Sequence, residues 1–119
     1  MSGMQTFEGG CQCGAVRYKA TASLDEVIEC NCSRCGKLGT ILTFTTPDNF
    51  ELLKGDDAQT TYTFNSKTID HLFCATCGVE SFARGRTSDG KSMIALNVRC
   101  FDGVEAKDLT PTLVDGKSV

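Results

Sequence analysis

The sequence has no excess of basic residues and no long apolar run. Its 12 Lys and Arg residues are outnumbered by 15 Asp and Glu residues, which gives a formal net charge of -3. Binding to the phosphate backbone of nucleic acid needs a basic surface, so this charge argues against such a partner. No segment approaches the roughly 20 apolar residues of a membrane-spanning helix. We therefore expect neither nucleic acid nor a membrane as a partner.

The sequence also lacks the patterns typical of interdomain linkers and secretory signals. It contains only 2 prolines in 119 residues, and no linker, low-complexity segment or repeat. We expect one domain over residues 1–119, with residues 104–119 as a surface tail or an edge segment. Residues 1–10 have neither the basic start nor the apolar stretch of a secretory signal, so the expected location is cytoplasmic.

Short runs rich in β-branched and aromatic residues alternate with glycine turns and predict a mainly β fold. The predicted strands cover residues 15–20, 26–30, 40–46, 60–64, 68–73 and 92–98. Ser33 is a suitable N-cap for one short helical turn over residues 34–38. We expect five phenylalanines in the core: Phe44, Phe50, Phe64, Phe73 and Phe82.

Cysteine, in contrast, is abundant, with 8 residues that form three clusters and a single Cys100. Cys11 and Cys13 lie beside glycine turns, as do Cys74 and Cys77. Two such pairs from distant parts of a chain predict one four-thiolate zinc site, whose closed shell indicates a structural role. Two alternatives stay open: disulfides between the pairs in an oxidising compartment, or redox activity at Cys74 and Cys77.

The middle cluster, Cys30, Cys32 and Cys35, offers three thiols and no neighbouring fourth cysteine. Three ligands and one open position are typical of a catalytic zinc, and the open position could take water or a thiol. Cys100 could instead close the site as a second structural zinc. It could also be a buried apolar residue, which would leave the site open without making it catalytic. The three thiols could finally be metal-free and redox-sensing.

The order of these motifs resembles the glutathione-dependent formaldehyde-activating enzymes, a family that includes centromere protein V-like domains. The resemblance covers about residues 7–102 and depends on three segments, GGCQCGAVRY at 9–18, CNCSRC at 30–35 and FCATCG at 73–78. It implies a β-tent fold with two zinc ions per chain. The implied ligands of the structural ion are Cys11, Cys13, Cys74 and Cys77. Those of the catalytic ion are Cys30, Cys32 and Cys35.

The resemblance also implies carbon–sulfur lyase activity on an adduct between a carbonyl compound and glutathione or another small thiol, which acts as co-substrate. Arg34, inside the middle cluster, is the residue that we expect to bind a carboxylate of such a thiol. His71 could be a fourth ligand or a proton shuttle, although its place on a predicted strand favours an exposed or core-edge histidine.

This sequence departs from the common family pattern at three positions. One is Gly36, after the last cysteine of the middle cluster, where the family often has a basic residue. Asn31 stands where the family often has histidine, and asparagine cannot carry a proton at neutral pH. Glu80 stands where a small or hydroxyl residue is expected. Two other functions therefore stay open. The chain could be a non-catalytic zinc module that binds another protein, or a thiol-based redox or metal sensor.

Overall fold

The computed structural model of the chain describes residues 4–63, 69–87 and 89–115. Most of these residues lie in short strands: β1 (Gln5–Gly10), β2 (Arg17–Ala22), β3 (Ile28–Cys30), β4 (Leu42–Thr45), β5 (Phe50–Lys54), β6 (Gln59–Tyr62), β7 (Asp70–Cys74), β8 (Phe82–Arg86), β9 (Ser92–Asn97) and β10 (Thr112–Val114). The helical segments are α1 (Cys35–Leu38) and single 3-10 turns at Pro47–Asn49, Val98–Cys100 and Ala106–Asp108. In the described ranges, no helix has the length and apolar character needed to cross a membrane.

The strands form two sheets. The first has the order β1-β2-β5, and the second has the order β10-β3-β4-β9-β8-β7-β6. All paired strands are antiparallel except β10, which runs parallel to β3 at the edge of the second sheet. The mainly β prediction is therefore confirmed, and residues 112–114 lie at the edge of the second sheet.

The core lies where the first sheet packs on the second. Tyr18 of β2 is fully buried, and its ring lies 5.9 Å from that of Phe82 in an edge-to-face contact. Phe50 of β5 approaches the same Phe82 ring at 4.7 Å. On β9, Ile94 and Leu96 point into this core, as the two-residue period of a strand requires. Burial of each such side chain contributes about 1.5–3 kcal/mol.

Each of the six predicted strands overlaps an observed one, although residues 64–68 lie outside the described ranges. Four strands, β1, β5, β8 and β10, were not predicted. In β1 the sequence ends in two glycines, which resemble a turn. Both are required by close backbone approach, because a Cβ on Gly9 would lie 2.5 Å from the carbonyl oxygen of Cys100, and one on Gly10 would lie 2.0 Å from that of Val16.

The core prediction was wrong for Phe44, which is 46% exposed. Its neighbours Thr43 and Thr45 are buried instead, because their hydroxyls donate to the carbonyl oxygens of Ser23 and Thr21 at 2.8 and 2.7 Å. Once threonine occupies the inner positions of β4, the strand period places Phe44 outside. Of the other predicted core phenylalanines, one is buried, two are half-buried and one lies outside the described ranges: Phe82, Phe50, Phe73 and Phe64.

Candidate metal centres

Two turns bring the four-cysteine group together from distant parts of the chain. Cys11 and Cys13 lie between β1 and β2, whereas Cys74 ends β7 and Cys77 follows in the turn to β8. All four Sγ atoms lie within 4.8 Å of one another. The group therefore connects the first sheet to the second.

The sulfur positions fit a tetrahedral metal ion. The Sγ atom of Cys13 lies 3.7 Å from that of Cys11 and 3.6 Å from that of Cys74. Four sulfurs at the Zn–S distance of about 2.3 Å stand roughly 3.8 Å apart, whereas a disulfide needs about 2.05 Å. All eight cysteines are free thiols. This donor set and spacing suit zinc.

Backbone N–H groups surround these sulfurs, as negatively charged thiolates require. The N–H of Val16 donates to Sγ of Cys11 at 3.3 Å, and those of Thr76 and Cys77 donate to Sγ of Cys74 at 3.4 Å. The donors from Cys77 and Thr76 lower the pKa of Cys74. The N–H groups of Val79 and Cys13 lower the pKa of Cys77 to about 6. The turn that carries Cys74 and Cys77 thus favours ionised sulfur. At Cys13 the N–H of Ala15 lowers the pKa, but the neighbouring thiol of Cys74 contributes to a net rise to about 11.

The three-cysteine group is local in sequence. Cys30 ends β3, Cys32 lies in the following loop and Cys35 begins α1. Their Sγ atoms also lie within 4.8 Å of one another. The N–H of Cys32 donates to Sγ of Cys30 at 3.5 Å, and that of Cys35 donates to Sγ of Cys32 at 3.3 Å. The predicted helical turn after Ser33 is confirmed, and it supplies the last of these donors. The prediction of Ser33 as its N-cap was wrong, because the N-cap is Arg34 and no side chain caps the turn.

The thiols of this group differ in acidity. Burial alone would raise the pKa of Cys32, but the N–H groups of Cys35 and Arg34 outweigh it and lower that pKa. Burial, together with the neighbouring sulfur of Cys32, raises the pKa of Cys35 to about 12. Three adjacent sulfurs therefore do not ionise together without a cation, and binding of a divalent metal would supply one.

Two residues weighed as a fourth ligand lie elsewhere. In the described ranges, neither Cys100 nor His71 has a ligand atom within 4.8 Å of all three sulfurs. Cys100 is half-buried, its Sγ lies 3.9 Å from the carbonyl oxygen of Glu80, and burial raises its pKa to about 11. His71 is on β7 as predicted, but it is 6% exposed and therefore buried. Its Nδ1 lies 3.1 Å from Oε2 of Glu80.

Arg34 makes its strongest contact inside the protein. Its Nε and Nη2 atoms donate to Oε1 of Glu80 at 3.1 and 2.7 Å, and its guanidinium lies 4.7 Å from the ring centre of Tyr62. Sequence reasoning missed this role of Glu80. The one signal available was a carboxylate at a position where a small residue was expected.

An open cleft of about 380 Å³ lies along α1, and it is lined by sequence neighbours of the three cysteines but by none of the three themselves. Its lining combines two cations with polar and apolar side chains: Ser33, Arg34, Lys37, Leu38 and Tyr62. Such a cleft offers a small acidic molecule both a charged contact and an apolar wall.

Comparison with known proteins places these centres in a family. A family model described as glutathione-dependent formaldehyde-activating enzyme matches residues 6–114. The chain belongs to this family. The glutathione-dependent formaldehyde-activating model spans all seven cysteines of the two groups, so the family resemblance of the sequence is confirmed.

A solved structure supports the fold of this glutathione-dependent formaldehyde-activating member. The crystal structure of a Rhodobacter sphaeroides protein is similar to it with a TM-score of 0.80 and 27% sequence identity. The similarity covers 89% of this chain and 97% of that chain. The two chains therefore share their architecture over almost their whole length.

Proposed function

We propose that the chain is a zinc-dependent carbon–sulfur lyase acting on an adduct between a carbonyl compound and glutathione or another small thiol. The observation that carries the proposal is the convergence of three thiols with no fourth ligand in the described ranges, on a loop whose neighbouring residues line an open cleft. Three protein ligands and an open position are the usual arrangement of a catalytic zinc. Membership of a glutathione-dependent family supports the thiol substrate.

The two cysteine groups take different roles in this proposal. Cys11, Cys13, Cys74 and Cys77 would hold a structural zinc, because four sulfurs would fill its coordination shell. Cys30, Cys32 and Cys35 would hold a second zinc, which would supply the Lewis acidity that favours the ionised form of a substrate thiol. These three residues are the proposed catalytic set. Reduced thiols in both groups suit the cytoplasmic location that the sequence predicts.

The chain's own residues would position the substrate. The N–H groups of Cys35 and Arg34 lower the pKa of Cys32 and so favour the thiolate form that binds a metal. Nε and Nη2 of Arg34 already donate hydrogen bonds to Glu80. In the proposed contact, Nη1 of Arg34 would therefore donate to the substrate carboxylate. Lys37 lines the same cleft and offers a second cation. An acidic thiol such as glutathione matches both charges.

The reaction breaks one carbon–sulfur bond. In an adduct of the form R–S–CH2–OH, the sulfur leaves with the bonding electron pair as a thiolate. The hydroxyl oxygen forms the new C=O bond, and its proton passes to water in the open cleft. The reverse reaction joins thiolate and carbonyl carbon and takes a proton back from water. Asn31 cannot act as the base, because its amide does not titrate.

Turnover of the adduct of glutathione and formaldehyde tests the proposal. We expect Cys32→Ser to lower turnover by more than about 100-fold, since even an outer partner of a metal site costs about 10- to 100-fold. Cys100→Ser is the matched control, because it removes a thiol outside both groups, and its turnover should stay near that of the wild type. Equal turnover of Cys32→Ser and wild type would refute the proposal.

The two alternatives predict other results. A non-catalytic zinc module that binds a protein predicts no turnover of any thiol adduct at full metal loading. A thiol-based redox sensor predicts that mild peroxide oxidises Cys30, Cys32 and Cys35 and releases their metal. Turnover by the wild type, with unchanged thiol count after peroxide, excludes both.

A further inference from the structure

A buried ion-pair network joins the three-cysteine loop to the turn that carries Cys74 and Cys77. Its centre is Glu80, which is only 8% exposed. One carboxylate oxygen, Oε1, accepts hydrogen bonds from Nε and Nη2 of Arg34, and the other, Oε2, lies 3.1 Å from Nδ1 of His71. A single side chain thus bridges residues far apart in sequence.

The backbone around Glu80 is firmly held. The carbonyl oxygen of Glu80 accepts a hydrogen bond from Nδ2 of Asn97 at 3.0 Å, and the next carbonyl, that of Ser81, accepts one from the backbone N–H of Asn97 at 3.0 Å. On the other side, the carbonyl of Val79 accepts from the N–H of Cys74 at 3.0 Å. The carboxylate therefore has a fixed position relative to the four-cysteine group.

The Arg34 end of the network is equally constrained. Its guanidinium lies 4.7 Å from the ring centre of Tyr62 and 5.9 Å from that of Phe73, on neighbouring strands of the second sheet. The carbonyl of Arg34 accepts from the N–H groups of Lys37 and Leu38, which forms the turn of α1. A fixed Arg34 side chain therefore restrains the loop that holds the three sulfurs.

Stability alone does not account for this network. Removal of two charges from water costs free energy that their attraction often fails to recover, so a buried ion pair is weak evidence of stabilisation. The network does, however, connect three segments that local hydrogen bonds would leave independent. Its clearest physical consequence is the position of the loop.

We propose that Glu80 is a positioning residue, which fixes the three-cysteine loop through Arg34 and couples it to the four-cysteine group. The inference rests on the metal-binding role proposed for Cys30, Cys32 and Cys35. Glu80 touches neither metal nor substrate in this account. It acts by reducing the freedom of the loop before the metal binds, so its loss should weaken the three-cysteine centre alone.

A Co2+ titration in competition with a chelator tests the positioning role of Glu80. The absorption of thiolate-bound Co2+ reports how much of the ion each centre binds. Cys32→Ser provides the reference spectrum of the four-cysteine centre. We expect Glu80→Gln to weaken Co2+ binding at the three-cysteine centre by roughly tenfold or more, as for other outer partners of metal sites. Binding at the four-cysteine centre should change by less than about threefold. Asp102→Asn, which breaks the exposed ion pair with Arg17, is the matched control and should change neither.

A second variant tests the same link from its other end. Arg34→Lys keeps the charge but loses the forked contact with Oε1 of Glu80. It should weaken the same centre, and the double variant should be no weaker than the worse single one, since both act through one contact. Additive effects, equal weakening of both centres, or unchanged binding in Glu80→Gln would overturn the proposal. This readout needs no turnover, so failure of the lyase proposal would show separately, as an inactive wild type with normal Co2+ binding.

Discussion

Replacement of Cys11 by serine removes one ligand from the four-cysteine centre. Cys11 is 7% exposed and belongs to the core. The centre ties the turn after β1 to the end of β7, and it brings together the Sγ atoms of Cys13 and Cys74, which are 61 residues apart in sequence. Loss of the metal therefore removes a link that closes a loop of 61 residues.

The size of the effect follows from that loop. A cross-link that closes 61 residues removes unfolded-state entropy worth about 4 kcal/mol at 25 °C. In a domain of 119 residues, each kcal/mol shifts Tm by roughly 4 °C, so the expected loss is about 15 °C. The three-cysteine centre closes only short loops, for example between Cys32 and Cys35, 3 residues apart. By the same relation a loop of this size is worth only about 1.6 kcal/mol, so its loss should lower Tm by only about 6 °C.

Differential scanning calorimetry of the zinc-loaded proteins measures the difference. We expect Cys11→Ser to melt about 15 °C below the wild type and Cys32→Ser to melt only about 6 °C below it. Cys100→Ser controls for the loss of a thiol outside both groups. Equal Tm values for Cys11→Ser and Cys32→Ser would refute the assignment of structural and open roles to the two centres.

Three further predictions concern stability and can be measured by urea or thermal unfolding. Phe82→Ala should lower the free energy of unfolding by about 3–5 kcal/mol, because Phe82 is 1% exposed. Phe44→Ala should lower it by under about 1 kcal/mol, because Phe44 is exposed. Equal losses would contradict the core described above. Gly78→Ala should lower the free energy of unfolding by about 1–2 kcal/mol, because Gly78 has a positive φ. Gly55→Ala should lower it distinctly more, because its Cβ would also lie 2.5 Å from a backbone carbonyl oxygen. Similar unfolding midpoints for the two variants would contradict that packing. Prolonged treatment of the wild type with a strong chelator should lower its Tm to a few °C below that of Cys11→Ser, since the chelator empties both centres and the substitution only one. An unchanged Tm at proven zinc loss would contradict this.

The membership of the two cysteine groups could be predicted from the sequence, because cysteines that share a metal-binding turn lie only two or three residues apart, as Cys11 and Cys13 do. The network of Glu80 could not be read in the same way. Its bond to Arg34 joins residues 46 apart, and nothing in the local pattern indicates which arginine a buried carboxylate will meet. The helical turn of α1, in contrast, depends on neighbours and was predicted.

The fold followed the same rule. Strands rich in β-branched residues were predicted, but β1 was missed because it ends in two glycines. Gly9 leaves room for the distant carbonyl oxygen of Cys100, and Gly10 for that of Val16. Phe44 was misplaced because hydrophobicity favoured the core for it, while the buried hydroxyls of Thr43 and Thr45 found carbonyl partners on another segment. Tertiary contacts, and not local propensity, decided both cases: close backbone approach at the glycines of β1, and hydrogen bonds at Thr43 and Thr45.

The central claim is that the chain carries two metal centres with separate roles. Elemental analysis of zinc per chain, on protein purified without added metal or chelator, tests it most directly when wild type and Cys32→Ser are compared. The account predicts close to two zinc ions in the wild type and close to one in Cys32→Ser. One ion in the wild type, or an equal zinc content in both proteins, would contradict it.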